Sequence, residues 1–158
     1  QHNNLQNIII YGAGHTGMMA KRSIEADMTS RFKVIAFLDD NRQLAGKSAE
    51  GVPIYNFNKK FDYVTEKFLP KELIIAIPEI AGYKKKKVIE IGLQHNLVIK
   101  NVPPIDKWIN GEFTFNQIKN IHIEGRSTGL TYRFLLRIQV FSNFSNRQGW
   151  QTWSIFMQ

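Results

Sequence analysis

The sequence predicts an α/β fold, a doubly wound parallel sheet forming a single domain with an atypical C-terminal tail. Three observations predict it. Short apolar runs alternate with stretches of helical spacing between residues 7 and 102. The first apolar run stops abruptly at Gly12-Ala13-Gly14-His15-Thr16-Gly17, a G-x-G-x-x-G turn, and helix-forming sequence follows it. The second apolar run ends in the acidic pair Asp39-Asp40. Strand, tight turn and helix in that order make a nucleotide-binding βα unit, so the expected fold is Rossmann-like and spans about residues 5–120.

Each element has its own signal. Residues 7–11, with three consecutive isoleucines, read as a buried strand. Residues 16–28 read as a helix with Met18, Met19 and Ile24 facing inward. Residues 32–38 form a second apolar strand, and residues 41–51 are polar enough to be a loop. A short strand is expected at 52–55. Phe57, Phe61, Val64 and Phe68 fall on one face of a helix over 57–68, which Pro70 terminates. Residues 72–77 form a strand closed by Pro78. Residues 81–96 form a lysine-rich helix with Val88, Ile91 and Leu93 toward the sheet. A last strand at 97–102 ends at Pro103-Pro104.

In an open sheet of this kind ligands bind beyond the carboxyl ends of the strands, where the strand order reverses. Four candidate strand ends converge there: 12–17, 39–40, 77–80 and 102–105. Gly12 lets the chain leave the strand. Gly14 removes a side chain where a diphosphate would meet the backbone, and Gly17 lets the helix pack close to the strand. The helix start offers N–H groups and a positive dipole end to phosphate. The expected cofactor-binding set is therefore Gly12, Ala13, Gly14, His15, Thr16, Gly17, Asp39, Asp40 and Pro78. Asp39 is expected to accept hydrogen bonds from a ribose diol and to repel a 2′-phosphate, which favours NAD over its phosphorylated form. His15 is equally readable as a plain turn residue, and Asp39-Asp40 as the start of a solvated loop.

Composition narrows the field. At 158 residues the chain can bury a real core, and no apolar stretch approaches membrane-spanning length. No signal-peptide pattern opens it. Without cysteine there are no disulfides or thiolate metal sites, and the four histidines show no ligand spacing. The net charge of +8 reads first as a lysine-rich solvated surface. Lys84 to Lys87 read as the wet face of a helix. A nucleic-acid partner is not expected, because lysines and aromatics do not interleave in the first part of the chain.

Catalytic machinery is not evident. Tyr-x-x-x-Lys, which a short-chain reductase needs, occurs at Tyr55/Lys59, Tyr63/Lys67 and Tyr83/Lys87. Three matches in a lysine-rich chain, none with a serine partner, read as chance. No Ser/His/Asp set stands out. The chain reads as a binding domain without chemistry of its own, and no catalytic or metal-ligating residue is assigned.

The ordered series Ile8-Ile-Ile-Tyr-Gly-Ala-Gly-His-Thr-Gly17, Val34-Ile-Ala-Phe-Leu-Asp-Asp40, Gly51-Val-Pro-Ile54, Leu73-Ile-Ile-Ala-Ile-Pro78 and Val102-Pro-Pro104 resembles a known family. It is the nucleotide-binding domain, often labelled CoA-binding-like, of bacterial polysaccharide-biosynthesis proteins of the nucleoside-diphosphate-sugar epimerase/4,6-dehydratase type. The resemblance covers about residues 5–124. It implies NAD, with CoA or a nucleotide-sugar as other ligands, and a role in capsule, O-antigen or other polysaccharide synthesis. It also implies a C-terminal catalytic domain and an N-terminal membrane segment that this sequence lacks, so that the chain is a fragment. Such a fragment is expected in the cytoplasm, and the full-length family at the cytoplasmic face of the bacterial inner membrane. A homo-oligomer is compatible with it. A stand-alone NAD or CoA sensor without catalysis is the alternative.

Residues 125–158 depart from the pattern. They contain four arginines and no Asp, Glu or Lys. They read as a basic, aromatic tail for nucleic acid or membrane, as an extra helix and hairpin on the sheet, or as out-of-frame sequence. A one-nucleotide shift over 141–154 can spell a strand followed by T-G-x-G-G-x-x-G, the opening of the missing catalytic domain. Trp150 and Trp153 supply two of its glycines. The expected organisation is a nucleotide-binding domain over 1–124 and a poorly ordered tail over 125–158.

Overall fold

A computed structural model describes residues 5–27, 29, 31–104, 107–108 and 114–121. The tail expected at 125–158, with its possible frame shift, lies outside the described residues. Among the described residues, seven strands and three helices follow one another as β1 (Gln6–Tyr11), α1 (His15–Ala26), β2 (Phe32–Asp39), β3 (Ser48–Ala49), β4 (Val52–Asn56), α2 (Phe57–Phe68), β5 (Glu72–Ile75), α3 (Gly82–Gln94), β6 (Val98–Asn101) and β7 (Lys119–Asn120), with a 3-10 turn at Phe115–Gln117 before β7.

The sheet order is β3-β4-β2-β1-β5-β6-β7. The five central strands are mutually parallel, as expected, and β1 is flanked by β2 on one side and β5 on the other. The strand order therefore reverses at β1, where the chain sets out in one direction through β2 and β4 and later in the other through β5 and β6. The isoleucines of β1 are fully buried, which is what a strand covered on both faces requires.

Two core layers cover the sheet. On the first face Ile8, Ile10, Phe37, Ile54 and Ile74 pack with Ala20 and Ile24 of α1. On the second face Ile9, Tyr11, Leu38, Leu73 and Ile75 pack with Phe57, Phe61 and Val64 of α2 and Val88 of α3. Met18 and Met19, expected inward, are only partly buried. The residue unexpectedly buried on α1 is Lys21, whose Nζ stands 2.6 Å from Glu25 and 3.6 Å from Glu50. The lysine is thus paired where a lone buried ammonium would be costly.

The sheet differs from an all-parallel one at its edges. β3 is antiparallel to β4 and lies inside the stretch expected to be loop. The two are joined through Glu50 and Gly51, both at positive φ (50° and 80°), the conformation of a two-residue hairpin turn. Glu50 bears the steric cost of that conformation and is pinned by Arg22 and Lys21 of α1. At the other edge β7 pairs antiparallel to β6. Both edge strands have two residues, which limits the unpaired edge offered to another chain.

β2 carries a bulge. Ile8 pairs with Val34 and Ile9 with Ala36, so Ile35 is an extra residue. Val34 packs on the first face, and both Ile35 and Ala36 on the second. From there the alternation resumes with Phe37 on the first face and Leu38 on the second. The extra residue therefore sends Asp39 toward the α1 side and Asp40 toward the α3 side.

Two helical glycines are close-approach positions of different severity. A Cβ on Gly17 would lie 2.0 Å from the carbonyl oxygen of Gly12, which is backbone. A Cβ on Gly92 of α3 would meet Ile99 Cδ1 at 2.5 Å and Leu73 Cδ2 at 3.0 Å, both ends of flexible side chains. Gly17→Ala is therefore expected to lower stability by more than the roughly 1–3 kcal/mol typical of overpacking. Gly92→Ala should cost less, because movable side chains meet it and a helix gains about 0.5–1 kcal/mol from Gly→Ala. Urea midpoints at unchanged slope test this ordering, and an equal loss in the two variants would refute it.

Candidate functional site

The glycine turn leaves β1 at Gly12, whose φ of 107° is closed to most side chains. A Cβ there would also meet Ile77 at 2.8 Å and the carbonyl oxygen of Ala76 at 3.1 Å. The Gly12 N–H donates to the Leu38 carbonyl at 2.8 Å, and the Ala76 N–H donates to the Tyr11 carbonyl at 2.8 Å. These bonds tie the ends of β2, β1 and β5 together. Gly14 is the N-cap of α1, with no side-chain capping bond and no acid in the first turn. Its φ is −85°, and a Cβ on it would meet nothing within 4 Å. So Gly12 and Gly17 are glycine for reasons of packing, while Gly14 opens onto free space. A helix start without a side-chain cap, facing open space, suits an anion. His15 is exposed, and Thr16 is buried.

The two aspartates have different surroundings. Asp39 Oδ2 accepts the Ala13 N–H at 2.8 Å, and its Oδ1 accepts the Asn41 N–H at 2.8 Å. Each oxygen retains one lone pair, so a fixed carboxylate is left able to accept two more hydrogen bonds. Asp40 Oδ2 accepts the Tyr11 phenol at 3.0 Å and lies 3.3 Å from Lys84 Nζ, while its Oδ1 accepts Asn58 Nδ2 at 3.1 Å. Lys87 Nζ in turn donates to Asn58 Oδ1 at 2.7 Å.

A cavity of about 520 Å³ lies on the α3 side of this edge. Its walls are Tyr11 at the end of β1, Asp39 to Asn41 after β2, Ile77, Glu79, Ile80 and Ala81 after β5, and Tyr83 and Lys84 in the first turn of α3. The glycine turn lies beside the cavity and does not line it. Asp39 joins the two, since it lines the cavity and holds the turn through Ala13. Of the residues expected in the site, Asp39 and Asp40 line the cavity, residues 12–17 form the adjoining turn, and half-buried Pro78 is absent from the wall.

Ile80 falls in the expected strand end at 77–80, whereas sequence reasoning did not place Tyr11, Tyr83 and Lys84 at the cavity. Tyr11 looked like the last residue of a buried strand, and its phenol points along Asp40 only because of the bulge. In Tyr83/Lys87 the ammonium donates to Asn58 Oδ1 at 2.7 Å. In Tyr63/Lys67 the ammonium contacts the phenol at 2.7 Å on the exposed face of α2, an ordinary (i, i+4) contact. Among the described residues, no group of three or more His, Asp or Glu could hold a metal ion, and no helix is long and apolar enough to cross a membrane.

No protein-family profile matches the chain. The capsular polysaccharide biosynthesis protein CapD of Staphylococcus aureus is 22% identical over 117 residues, which are 73% of this chain and 20% of CapD. The chain thus spans about a fifth of that relative's length. The crystal structure of UDP-D-quinovosamine 4-dehydrogenase from Vibrio fischeri matches with a TM-score of 0.65 and 26% identity, over 75% of this chain and 94% of that one. RSP, a Rex-family repressor, has the same fold, with a TM-score of 0.53 and 22% identity over 89% of this chain and 63% of that one. The chain is an α/β Rossmann-like domain similar to a capsular polysaccharide biosynthesis protein and to a UDP-sugar dehydrogenase.

The Tyr11 phenol is held well above its ordinary value near 10, first by burial, then by its hydrogen bond to Asp40 and by the negative charges of Asp40 and Asp39. It is therefore a neutral donor to Asp40 across the physiological range. A group whose value is raised on folding contributes stability that is full below its unfolded value and is lost as pH rises past it. Above about pH 10 the domain should lose up to about 1.4 kcal/mol per pH unit through Tyr11. Tyr11→Phe should flatten that slope, as read from urea midpoints between about pH 8 and 11. An unchanged slope would show that the Tyr11 phenol ionises freely in the folded protein.

Proposed function

We propose that the domain binds NAD, with the diphosphate at the start of α1 over Gly14 and a ribose diol on Asp39, as part of a polysaccharide-biosynthesis protein that modifies nucleotide-linked sugars. The observation that carries this is the pairing of an α1 start without a side-chain cap, open at Gly14, with a carboxylate that both fixes the turn and faces a cavity. The turn would cradle the diphosphate with N–H groups. Asp39 would orient the ribose, and its charge would disfavour a 2′-phosphate. The NAD itself would supply hydride chemistry.

Two comparisons support the reading. CapD and UDP-D-quinovosamine 4-dehydrogenase both point to polysaccharide or nucleotide-sugar metabolism. RSP has been crystallised with β-NADH. In this reading residues 12–17, Asp39 and Asp40 serve the cofactor. The catalytic step falls to a further domain of a longer protein, which also carries the membrane segment and sits at the cytoplasmic face of the inner membrane. The RSP structures favour one other reading, an NAD-responsive regulatory module without catalysis, for which a change of oligomeric state on binding would be the mark.

Gly14→Asp separates binding from folding. Residue 14 has N-cap geometry, where aspartate is preferred, and nothing stands within 4 Å of its Cβ, so the variant should be at least as stable as the parent. Its carboxylate would occupy the phosphate position. In calorimetry of the full chain, NAD should bind saturably and the variant should weaken it by at least about tenfold, or 1.4 kcal/mol. Binding of CoA or a UDP-sugar with NAD silent would replace the ligand in this reading. Silence from all of them would leave the turn a packing device.

A further inference from the structure

The amino end of the sheet, opposite the glycine turn, carries a surface that folding alone does not require. Among the described residues the exposed large aliphatic side chains are Leu5, Leu69 and Val98, at 50%, 69% and 49% exposure. All three stand at this end: Leu5 precedes β1, Leu69 lies between α2 and β5, and Val98 opens β6. β1, β5 and β6 are neighbours in the sheet, and their starts are tied together. The Lys71 N–H donates to the Asn7 carbonyl at 2.8 Å, the Val98 N–H to the Lys71 carbonyl at 3.0 Å, and Asn7 Nδ2 to the Phe68 carbonyl at 2.7 Å. A single exposed leucine is ordinary, whereas apolar side chains gathered at one end of a sheet are not. Leu69 is the sharpest case. It holds a φ of 47°, where glycine or asparagine is the usual residue after a helix. Neither burial nor backbone conformation accounts for a leucine at that position.

Cations accompany these side chains. Arg31, Lys33, Lys67 and Lys71 are exposed at the same end, before or at the start of β2, in the last turn of α2 and before β5. The Gln6 N–H donates to the Arg31 carbonyl at 2.6 Å, which sets the chain at Arg31 beside the chain at Leu5. Of the carboxylates there, Glu72 is paired with Lys100 at 2.7 Å, Asp27 accepts from Thr29, and Glu66 is exposed. We infer that the amino end of the sheet is a docking face for an anionic lipid surface, with Leu5, Leu69 and Val98 entering the headgroup layer and Arg31, Lys33, Lys67 and Lys71 meeting lipid phosphates. Peripheral binding of this kind draws on apolar area and on attraction to anionic lipid together, and this face offers both. A second copy of the chain fits less well, because a symmetric contact would set the four cations against themselves. The glycine turn, at the other end of the six-residue β1 and about 20 Å away, stays open to its ligand on a docked domain. The inference stands apart from the nucleotide reading and needs no membrane-spanning segment.

The test is co-sedimentation of the full chain with vesicles of equal parts phosphatidylglycerol and phosphatidylcholine, against vesicles of phosphatidylcholine alone. The parent chain should bind the anionic vesicles and release them as salt is raised, and it should bind the neutral ones at least about tenfold more weakly. Leu69→Gly relieves the positive φ, so its urea midpoint should be unchanged or higher, while its vesicle binding falls by about tenfold. Opposite movement of stability and binding separates a lipid contact from a folding role. Val98→Thr keeps a β-branched residue in the strand and should also weaken binding, as should Lys71→Gln. The docking face is refuted if the parent chain binds neither vesicle, if it binds both equally, or if Leu69→Gly and Val98→Thr together leave binding unchanged. It is also refuted if sedimentation shows the parent chain to be a dimer that Leu69→Gly dissociates, since the face would then join two copies. NAD calorimetry on Leu69→Gly should match the parent chain, so either result here leaves the glycine-turn reading to its own test.

Discussion

The contact on which the rest depends is the one between residue 17 and the carbonyl of residue 12, where no side chain fits. It sets how closely α1 approaches the end of β1. With α1 that close, Gly12 can turn at positive φ and still give its N–H to Leu38, and the end of β1 stays locked between β2 and β5. The start of α1 then faces outward over the sheet edge with its N–H groups uncapped by any side chain. A larger residue at 17 would push the helix away, and the packing of Ala20 and Ile24 on the first face would loosen with it. The glycines of one motif thus differ: Gly12 and Gly17 are fixed by sterics, whereas Gly14 leaves open space at the helix start.

The bulge in β2 is the second constraint. Strand geometry makes successive side chains alternate, so one inserted residue exchanges the faces of everything after it. Had the alternation of Val34 continued, Asp40 would stand with the glycine turn and Asp39 with Tyr11 and α3. The inserted Ile35 gives the reverse. It brings Asp39 to Ala13 at 2.8 Å and Asp40 to Tyr11 at 3.0 Å. Two adjacent like-charged residues are tolerated at one strand end because each faces its own set of donors.

Much of this was legible in the sequence, and the reasons are physical. The order of strands and helices follows from periodicity and from prolines, and α2 has the expected bounds because its apolar stripe is regular and Pro70 must stop it. Leu69, before that proline, leaves the helix in the left-handed region while its N–H still reaches the Thr65 carbonyl at 3.1 Å. The β3–β4 hairpin was hidden because Glu50 occupies a turn position where Asn or Asp is the usual signal. It is supported by Lys21 and Arg22, some 30 residues earlier in the chain, which no local pattern reveals. Burial of Lys21 was illegible for the same reason. Asp39 and Asp40 could be located at the strand end, but their separate surroundings depend on a bulge that composition does not announce.

The first turn of α3 poses a problem of charge that the site resolves. Four consecutive lysines, Lys84 to Lys87, stand near the positive end of the helix dipole, with no acid in the first turn to offset them. Folding alone does not favour that arrangement. Two of the four are engaged from outside the helix, Lys84 by Asp40 and Lys87 by Asn58, whose amide nitrogen also bonds to Asp40. Asp40 is therefore the counter-charge of α3 in the free protein, through a surface-grade contact worth about 0–1 kcal/mol.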